Sequence, residues 1–236
     1  MPAQTVSRNF WRGMQDGWPF LIVVGPFGAL FGVVGTEAGL SITEVMAFSV
    51  LVIAGAAQFT ALQLMMENAP TVIVLTTALV VNLRMAMYSA ALTPHLGAAP
   101  LRQRILIAYF NVDQTYALSQ VRFENEPDLP LQSKVAYFLG CALPVCPFWY
   151  VFTFLGAAVG TRIPPEFALD FAVPITFLAL IAPALKTLAH VAAALTSIAA
   201  ALALVWLPSG LGLIAAGIVA MIVGAQVELW TERRRP

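Results

Sequence analysis

Charged residues are scarce in this sequence. They make up 10% of its 236 residues, and 60% of the residues are apolar, whereas a soluble domain carries roughly 25% charged residues. Water is therefore not the solvent for most of the surface. Lys and Arg balance Asp and Glu at 12 each, and the longest basic run is Arg233 to Arg235. Because no basic stripe is available to neutralise phosphates, we expect no nucleic-acid partner.

Cysteine is nearly absent, and so are the common catalytic motifs. The two cysteines, Cys141 and Cys146, lie in an apolar run on either side of Pro144 and suggest neither a disulfide framework nor a zinc site. We interpret them as small buried apolar side chains, with a thiol pair in a permeation path as the alternative. No GxSxG, HExxH or P-loop motif stands in a competent context. We expect no enzymatic activity, no cofactor and no bound metal.

Long polar stretches are also missing, so we predict a single transmembrane domain over residues 1–236. A helix needs about 20 apolar residues to cross the bilayer, and its backbone groups must all be paired. Seven apolar runs are long enough: 17–35, 44–66, 71–93, 135–160, 168–186, 188–207 and 209–229. An eighth candidate, residues 105–120, is short and polar in its middle. The prediction is an all-α bundle of eight transmembrane helices, with seven as the alternative.

The distribution of Lys and Arg favours eight crossings. With both termini inside, the outer side holds Arg102, Arg104 and Arg162, while the cytoplasmic side holds eight basic residues: Arg8, Arg12, Arg122, Lys134, Lys186 and Arg233 to Arg235. Without a crossing at 105–120, Lys134 and the C-terminal arginines would lie outside, against the usual bias.

A short internal similarity suggests two four-helix repeats. Residues 32–36 (GVVGT) and 157–161 (AAVGT) both end an apolar run. Their offset of 125 residues would place span 1 on span 5 and span 4 on span 8. A similarity this short, with three identical residues, can also arise by chance, and that alternative stays open. Substrate sites of secondary transporters commonly lie at such repeat interfaces, near the bilayer midplane.

Polar residues inside the apolar runs are the first candidates for a site, because inserting an Asp or Arg at mid-bilayer costs about 3 kcal/mol. Gln58 follows four small residues, Asn82 and Arg84 lie in one span, and Asp113 lies in the marginal span. We predict an ion pair between Arg84 and Asp113. Asp113 is then either a proton-coupling or ammonium-binding group, or a structural partner. Gln58 and Asn82 either line a pathway or form interhelical hydrogen bonds.

Glycine and proline in the first span are the second signal. Gly25, Pro26, Phe27 and Gly28 lie at its centre, where a proline removes a backbone donor. We predict a broken helix whose ends contact the solute. The alternative is a kinked helix that packs closely through Gly28 and Gly32. Pro144 and Pro147 indicate a break in the fifth span more weakly.

Four motifs carry a family resemblance. They are Gly25-Pro-Phe-Gly28, Ala54-Gly-Ala-Ala-Gln-Phe59, Asn82-Leu-Arg84 with Tyr88 and the following Thr93-Pro-His-Leu96, and Tyr109-Phe-Asn-Val-Asp113. In this order they resemble the AzlC family, the large subunits of bacterial branched-chain amino acid permeases, and the resemblance runs from about residue 10 to residue 230. It implies a secondary transporter of the bacterial inner membrane that exports branched-chain amino acids, or methionine in some members. It also implies a small hydrophobic partner of the AzlD type.

The sequence departs from the family pattern near both charged positions. Met85 and Met87 stand where many relatives have His or bulkier aliphatic residues, and Gln114 replaces an expected acidic residue. Asp113 is therefore the sole candidate for proton coupling.

We expect the substrate site to combine the predicted break with the polar residues and an apolar wall, because a zwitterion needs charges and its aliphatic side chain needs a dry surface. The expected substrate-binding residues are Gly25, Pro26, Phe27, Gly28, Gly55, Gln58, Phe59, Asn82 and Arg84. A channel, a membrane enzyme or a non-transporting assembly subunit are the alternatives.

Overall fold

The computed structural model describes residues 2–161, 185, 187–207 and 211–233. This part of the chain is helical and contains no β-strand. A 3₁₀ turn, Trp18–Phe20, joins the first two helices. The α-helices are α1 (Pro2–Gly17), α2 (Leu21–Glu37), α3 (Ile42–Leu51), α4 (Gly55–Met66), α5 (Thr71–Leu96), α6 (Leu101–Tyr109), α7 (Asp113–Asn125), α8 (Leu131–Gly160), α9 (Leu188–Ala203) and α10 (Leu211–Arg233).

Four predicted spans are confirmed as helices that are long and apolar enough to cross a membrane. They are Val6–Glu37, which joins α1 to α2, then Thr71–Leu96, Leu131–Gly160 and Leu211–Thr231. The predicted span 188–207 coincides with the shorter apolar helix α9. The span predicted at 168–186 lies almost wholly outside the described residues. The count of eight helices is thus not confirmed, and at 44–66 and 105–120 the structure differs from the prediction.

The first span is not broken at its proline, so that prediction was wrong. α2 continues from Leu21 to Glu37 with Pro26 inside it, and α8 continues through Pro144 and Pro147. A proline costs the helix one hydrogen bond, and in membrane helices neighbouring groups compensate for it.

Small residues let α1 and α2 pack closely along α8. A Cβ atom on Gly13 would meet the backbone of Tyr137, and one on Gly32 would meet the backbone carbonyl of Thr153. The residue numbers rise together, so α8 runs parallel to α1 and α2. Gly28 and Gly32 therefore serve the close packing that was the alternative to a broken helix.

The region predicted as the eighth span is a helical hairpin. α6 begins close to the end of α5 and returns along it, whereas α7 follows α5 in the forward direction. Three side-chain contacts with α5 trace this path: Asn111 with Ser89, Asp113 with Arg84, and Phe123 with His95. We call Leu101–Asn125 hairpin B and residues 110–112 its tip. The hairpin enters and leaves at the same end of α5, so it does not cross.

The region predicted as the second span is also a hairpin. α3 returns along α2, with Val45 against Gly35 and Phe48 against Phe31. The Gln58 side chain then donates a hydrogen bond of 3.1 Å to the hydroxyl of Ser49. A chain that continued in one direction would separate these residues by about 13 Å along the axis, so α4 must turn back. We call Ile42–Met66 hairpin A and residues 52–54 its tip.

The two hairpins enter from opposite ends of the parallel helices α2 and α8. Hairpin A follows the end of α2, whereas hairpin B lies where α8 begins, since Phe123 packs with Tyr137. Between residues 2 and 161, all Lys and Arg other than Arg84 lie at the hairpin B end: Arg8, Arg12, Arg102, Arg104, Arg122 and Lys134. Glu37 and Glu44 lie at the other end. The positive-inside rule predicts that the hairpin B end is cytoplasmic. The expectation that Arg102 and Arg104 lie on the side opposite to Arg122 and Lys134 was wrong, because all four lie at this end.

The chain forms two compact units, and α4 and α5 contribute to both. The first contains residues 2–62 and 78–161 and holds both hairpin tips. The second contains 63–77 and the described residues from 185 onward, in which α9 and α10 pack antiparallel: Gly212 lies against Leu204, and Gly224 against Ala193. The single domain over 1–236 and the 125-residue repeat both stay predictions, because much of the second proposed repeat lies outside the described residues.

The hairpin topology predicts which positions share one side of the membrane. Single cysteines in place of Arg102 and Glu124, at the two ends of hairpin B, should both react with a membrane-impermeant thiol reagent added from the cytoplasmic side. A cysteine in place of Glu44 should react only from the opposite side. Right-side-out and inverted vesicles give this measurement. Labelling of positions 102 and 124 from opposite sides would restore the predicted crossing at 105–120.

Candidate functional site

Three backbone hydrogen bonds define the tip of hairpin A, where the helical hydrogen-bond pattern is interrupted. The Val52 amide closes α3 by donating to Phe48, the Ala54 amide donates to Val52 two residues back, and the Gln58 amide opens α4 by donating to Ala54. In a continuous helix the Ala54 amide would bond the Val50 carbonyl. The tip therefore frees that carbonyl.

The tip of hairpin B has the same hydrogen-bond pattern, 58 residues further along the chain. Phe110 donates to Leu106, Val112 to Phe110, and Tyr116 to Val112. The carbonyl of Ala108, which corresponds to Val50, loses its helical partner in the same way. Two equivalent tips that enter from opposite sides are the arrangement expected of inverted-topology repeats.

The two tips meet through one phenol. The Tyr109 hydroxyl, at the end of α6, donates a hydrogen bond of 2.7 Å to the freed carbonyl of Val50. It lies 2.8 Å from the hydroxyl of Tyr150 on α8, which is left to act as the donor. Tyr109 thus joins hairpin A, hairpin B and α8, and it satisfies a backbone acceptor that lipid could not satisfy.

Aromatic rings surround the tip of hairpin A. Phe27 stacks on Phe59 with 4.8 Å between ring centroids and lies edge-on to Trp149 at 5.8 Å. A Cβ atom on Gly55 would come within 3.0 Å of Phe27 and Trp149, so only glycine lets the tip approach these rings. Three predicted site residues, Phe27, Gly55 and Phe59, are therefore brought together.

A buried polar cluster lies beside these rings. The Ser49 hydroxyl accepts hydrogen bonds from Gln58 and from the indole of Trp149, at 3.1 and 3.2 Å, and donates to Thr153 at 3.4 Å. Gln58 is fully buried, and its amide oxygen has no hydrogen-bond partner among the described residues. An unpaired buried acceptor costs about 1–3 kcal/mol, so this oxygen is suited to a donor on a solute.

The predicted site residues Gly25, Pro26 and Gly28 belong to α2, next to this cluster. A Cβ atom on Gly25 would meet the ring of Phe152, and one on Gly28 would meet the Trp149 backbone, both at 3.2 Å. Their contacts are with α8. Pro26 lies between them, within the continuous helix.

The predicted ion pair lies at the tip of hairpin B. Arg84 and Asp113 approach to 3.0 Å, and their side chains are 32% and 43% exposed. Arg84 is the middle residue of α5, about 18 Å from either helix end, which corresponds to mid-depth in a bilayer core of about 30 Å. Asp113 is the first residue of α7, where the helix dipole stabilises its negative charge. One carboxylate oxygen has no partner among the described residues.

Asn82 is not brought to this pair. It lies two positions before Arg84 on α5, and residues two apart point to different sides of a helix. Its amide oxygen is buried, without a hydrogen-bond partner in the described part of the chain. The ion pair and the Gln58 cluster thus form two centres, one at each tip.

Sequence reasoning missed Ser49, Trp149 and Tyr109 as parts of these centres. Ser49 and Trp149 become partners of Gln58 only through the turn in hairpin A. Tyr109 was noted as part of a family motif, yet its partner carbonyl is freed by a break that no proline marks. One local signal was available at tip B, where the Thr115 hydroxyl accepts a hydrogen bond from the Val112 amide, as residues that stabilise helix starts do.

The arrangement is suited to holding a small polar solute at mid-depth. It offers a fixed cation and anion, unpaired amide acceptors and an aromatic wall. The described residues contain no group of three or more His, Cys, Asp or Glu that could hold a metal ion.

Comparison with known proteins gives the family. The profile described as AzlC protein matches residues 19–163, more than half of the chain and both hairpins. The chain belongs to the AzlC family. This confirms the resemblance drawn from the four motifs, and the centres at tips A and B lie wholly within the AzlC match.

Two relatives of this AzlC chain are named membrane proteins. An "Uncharacterized membrane protein" from Archaeoglobus fulgidus is 30% identical over 223 residues, which cover 92% of this chain and 95% of the relative. The "Inner membrane protein YgaZ" of Escherichia coli is 23% identical over 178 residues, which cover 73% and 71%. No solved structure matches the chain.

The contact between the tips can be tested with a matched pair of variants. Tyr109→Phe removes the donor to the Val50 carbonyl and should lower the free energy of unfolding by about 1–3 kcal/mol, because an acceptor left unpaired inside the bilayer has no water to replace the donor. Tyr150→Phe leaves that bond intact and should have a smaller effect. Thermal unfolding midpoints in detergent measure the difference. Equal shifts in the two variants would show that the tips do not depend on Tyr109.

Proposed function

We propose that this membrane protein is a secondary transporter that exports branched-chain amino acids, with methionine as a further substrate, from the bacterial cytoplasm. Proton coupling through Asp113 is part of the proposal. Membership of the AzlC family supports a role in transport, and the implied family activity supports the choice of amino acids. The name of the Escherichia coli relative supports placement in the inner membrane.

One observation carries the proposal: a partly exposed ion pair at mid-depth, beside a hairpin tip. Neither side chain of the pair is fully buried in the bundle, and Arg84 lies far from both ends of α5. Charges at this depth do not face lipid, so they face water or a polar partner. A structural ion pair would have no need of such exposure, whereas a solute pathway requires it.

Asp113 has the properties of a coupling group. It is the only acidic side chain at either tip, and a protonated Asp113 would release Arg84 from its partner. Arg84 would then be available for the carboxylate of an amino acid, because a guanidinium binds carboxylates through paired hydrogen bonds. Proton binding and solute binding would thus alternate at one arginine.

A small hydrophobic subunit of the AzlD type is the proposed partner. The support comes from the family resemblance, since large subunits of this kind usually act with such a partner. The transport experiment therefore needs preparations with and without it.

Proteoliposomes loaded with labelled leucine or valine test the proposal. We expect efflux that depends on an imposed pH gradient, in one or both preparations. Absence of flux in both would contradict a transporter, and flux that is indifferent to the gradient would indicate a channel. Asp113→Asn should abolish gradient-driven flux, and Asp128→Asn, in the loop before α8, is the matched control and should leave it intact.

A double variant separates coupling from structure. Asp113→Asn leaves the Arg84 charge unpaired at mid-depth, which alone can disturb folding. The Arg84→Gln/Asp113→Asn variant removes both charges. If the pair is only structural, the double variant should regain coupled flux. If Arg84 binds the solute and Asp113 carries the proton, flux should stay lost although the protein folds.

A further inference from the structure

A pocket between α5 and α6 opens beside the tip of hairpin B. Its volume is about 220 Å³, below the range of about 300–1,000 Å³ that drug-sized ligands occupy. It extends along the cytoplasmic half of α5, from Ser89 to Gly97, and along α6 from Leu101 to Asn111. The pocket therefore leads from the cytoplasmic end of the helices toward the depth of the Arg84–Asp113 pair.

The deep end of this pocket offers hydrogen-bond acceptors. Asn111 is 4% exposed. Its amide nitrogen donates to the Ser89 hydroxyl at 3.2 Å, while its amide oxygen has no hydrogen-bond partner among the described residues. Ala108, whose carbonyl lost its helical partner at the tip, lines the same wall. The C-terminal end of α6 adds the negative end of its helix dipole. These groups suit a ligand ammonium.

The other end offers a cation. Arg104 lines the pocket and forms no ion pair with any residue that the structure describes. It lies four residues before Ala108, on the same face of α6 and about 6 Å away along the axis. Because the arginine side chain is long, one α-amino acid can reach both the guanidinium and the acceptors at the tip.

The walls between these ends are aliphatic. Leu92 and Leu96 on α5 and Leu101 and Ile107 on α6 line them. An apolar wall with a few convergent polar groups is the usual form of a small-molecule site. A branched aliphatic side chain fits such a wall, whereas a charged side chain would be left unpaired there.

We propose that this pocket is a cytoplasmic capture site for aliphatic α-amino acids. Arg104 binds the carboxylate, and the Asn111 amide oxygen and the Ala108 carbonyl bind the ammonium. The ligand class rests on the proposed function, whereas the position of the site and the role of Arg104 rest on the pocket. The captured solute lies one helical turn or more from Arg84, to which it passes next.

Equilibrium binding in nanodiscs of zwitterionic lipid tests the role of Arg104. Labelled leucine is compared with leucinol, which lacks the carboxylate. Arg104→Gln should weaken leucine binding at least about tenfold, a loss of 1.4 kcal/mol, and leave leucinol binding unchanged. Arg102→Gln, an exposed arginine two positions away that does not line the pocket, is the matched control and should bind leucine as the wild type does. Equal effects of the two substitutions, or none, would overturn the proposal.

A second variant and a lipid titration cover the remaining outcomes. Ala108→Phe should fill the pocket and abolish leucine binding while Arg104 stays in place; unchanged binding would overturn the site. Added phosphatidylglycerol should not displace leucine, and displacement that depends on Arg104 would assign the pocket to a lipid headgroup instead. Flux without Arg104-dependent binding would refute the pocket alone. Arg104-dependent binding without flux in either proteoliposome preparation would refute the transporter and leave the pocket standing.

Discussion

The fold depends on one constraint: polar groups that a hairpin tip frees inside the bilayer must find partners within the protein or in a bound solute. A tip inside hydrocarbon loses helical hydrogen bonds, and no water replaces them. Here the Tyr109 hydroxyl of hairpin B bonds the Val50 carbonyl that hairpin A frees. Hairpin B also places Asp113 against the one charge in the middle of α5. Hairpin B therefore supplies both the donor that the tip of hairpin A needs and the counter-ion that α5 needs, which keeps the two tips at the same depth.

The two hairpins contribute most of the candidate site residues at the centre of the first unit. Hairpin A brings a glycine-bordered tip against aromatic rings and a buried glutamine, and hairpin B brings an ion pair and the mouth of a pocket. Their matching hydrogen-bond patterns and opposite directions relate α2 with hairpin A to α5 with hairpin B. In transporters, rearrangement of such inverted halves gives access to a central site from alternate sides. The proposed export cycle uses the Arg84–Asp113 pair as that centre.

Hydrophobic length and residue chemistry predicted much of this. They identified the membrane helices α2, α5, α8 and α10, the Arg84–Asp113 pair and the interhelical hydrogen bond that was one of the two roles predicted for Gln58. They did not predict the hairpins, because a run of about 20 apolar residues looks alike whether it crosses or turns back. The break at 52–54 contains no proline and depends on contacts distant in sequence, such as Gln58 with Ser49. Pro26, the strongest local signal for a break, lies in a continuous helix because close packing against α8 stabilises it.

Water accessibility at mid-depth is the most direct test of the central claim that the Arg84–Asp113 pair borders a solute pathway. In a background with Cys141 and Cys146 replaced by alanine, Tyr88→Cys places a thiol one turn from Arg84 on the same face of α5, and Leu83→Cys places one at the same depth on another face. The measurement is the reaction rate with a membrane-impermeant thiol reagent. We predict that the thiol at position 88 reacts fast and that leucine slows this reaction, whereas the thiol at position 83 does not react. No reaction at either position, or equal reaction at both, would contradict the account.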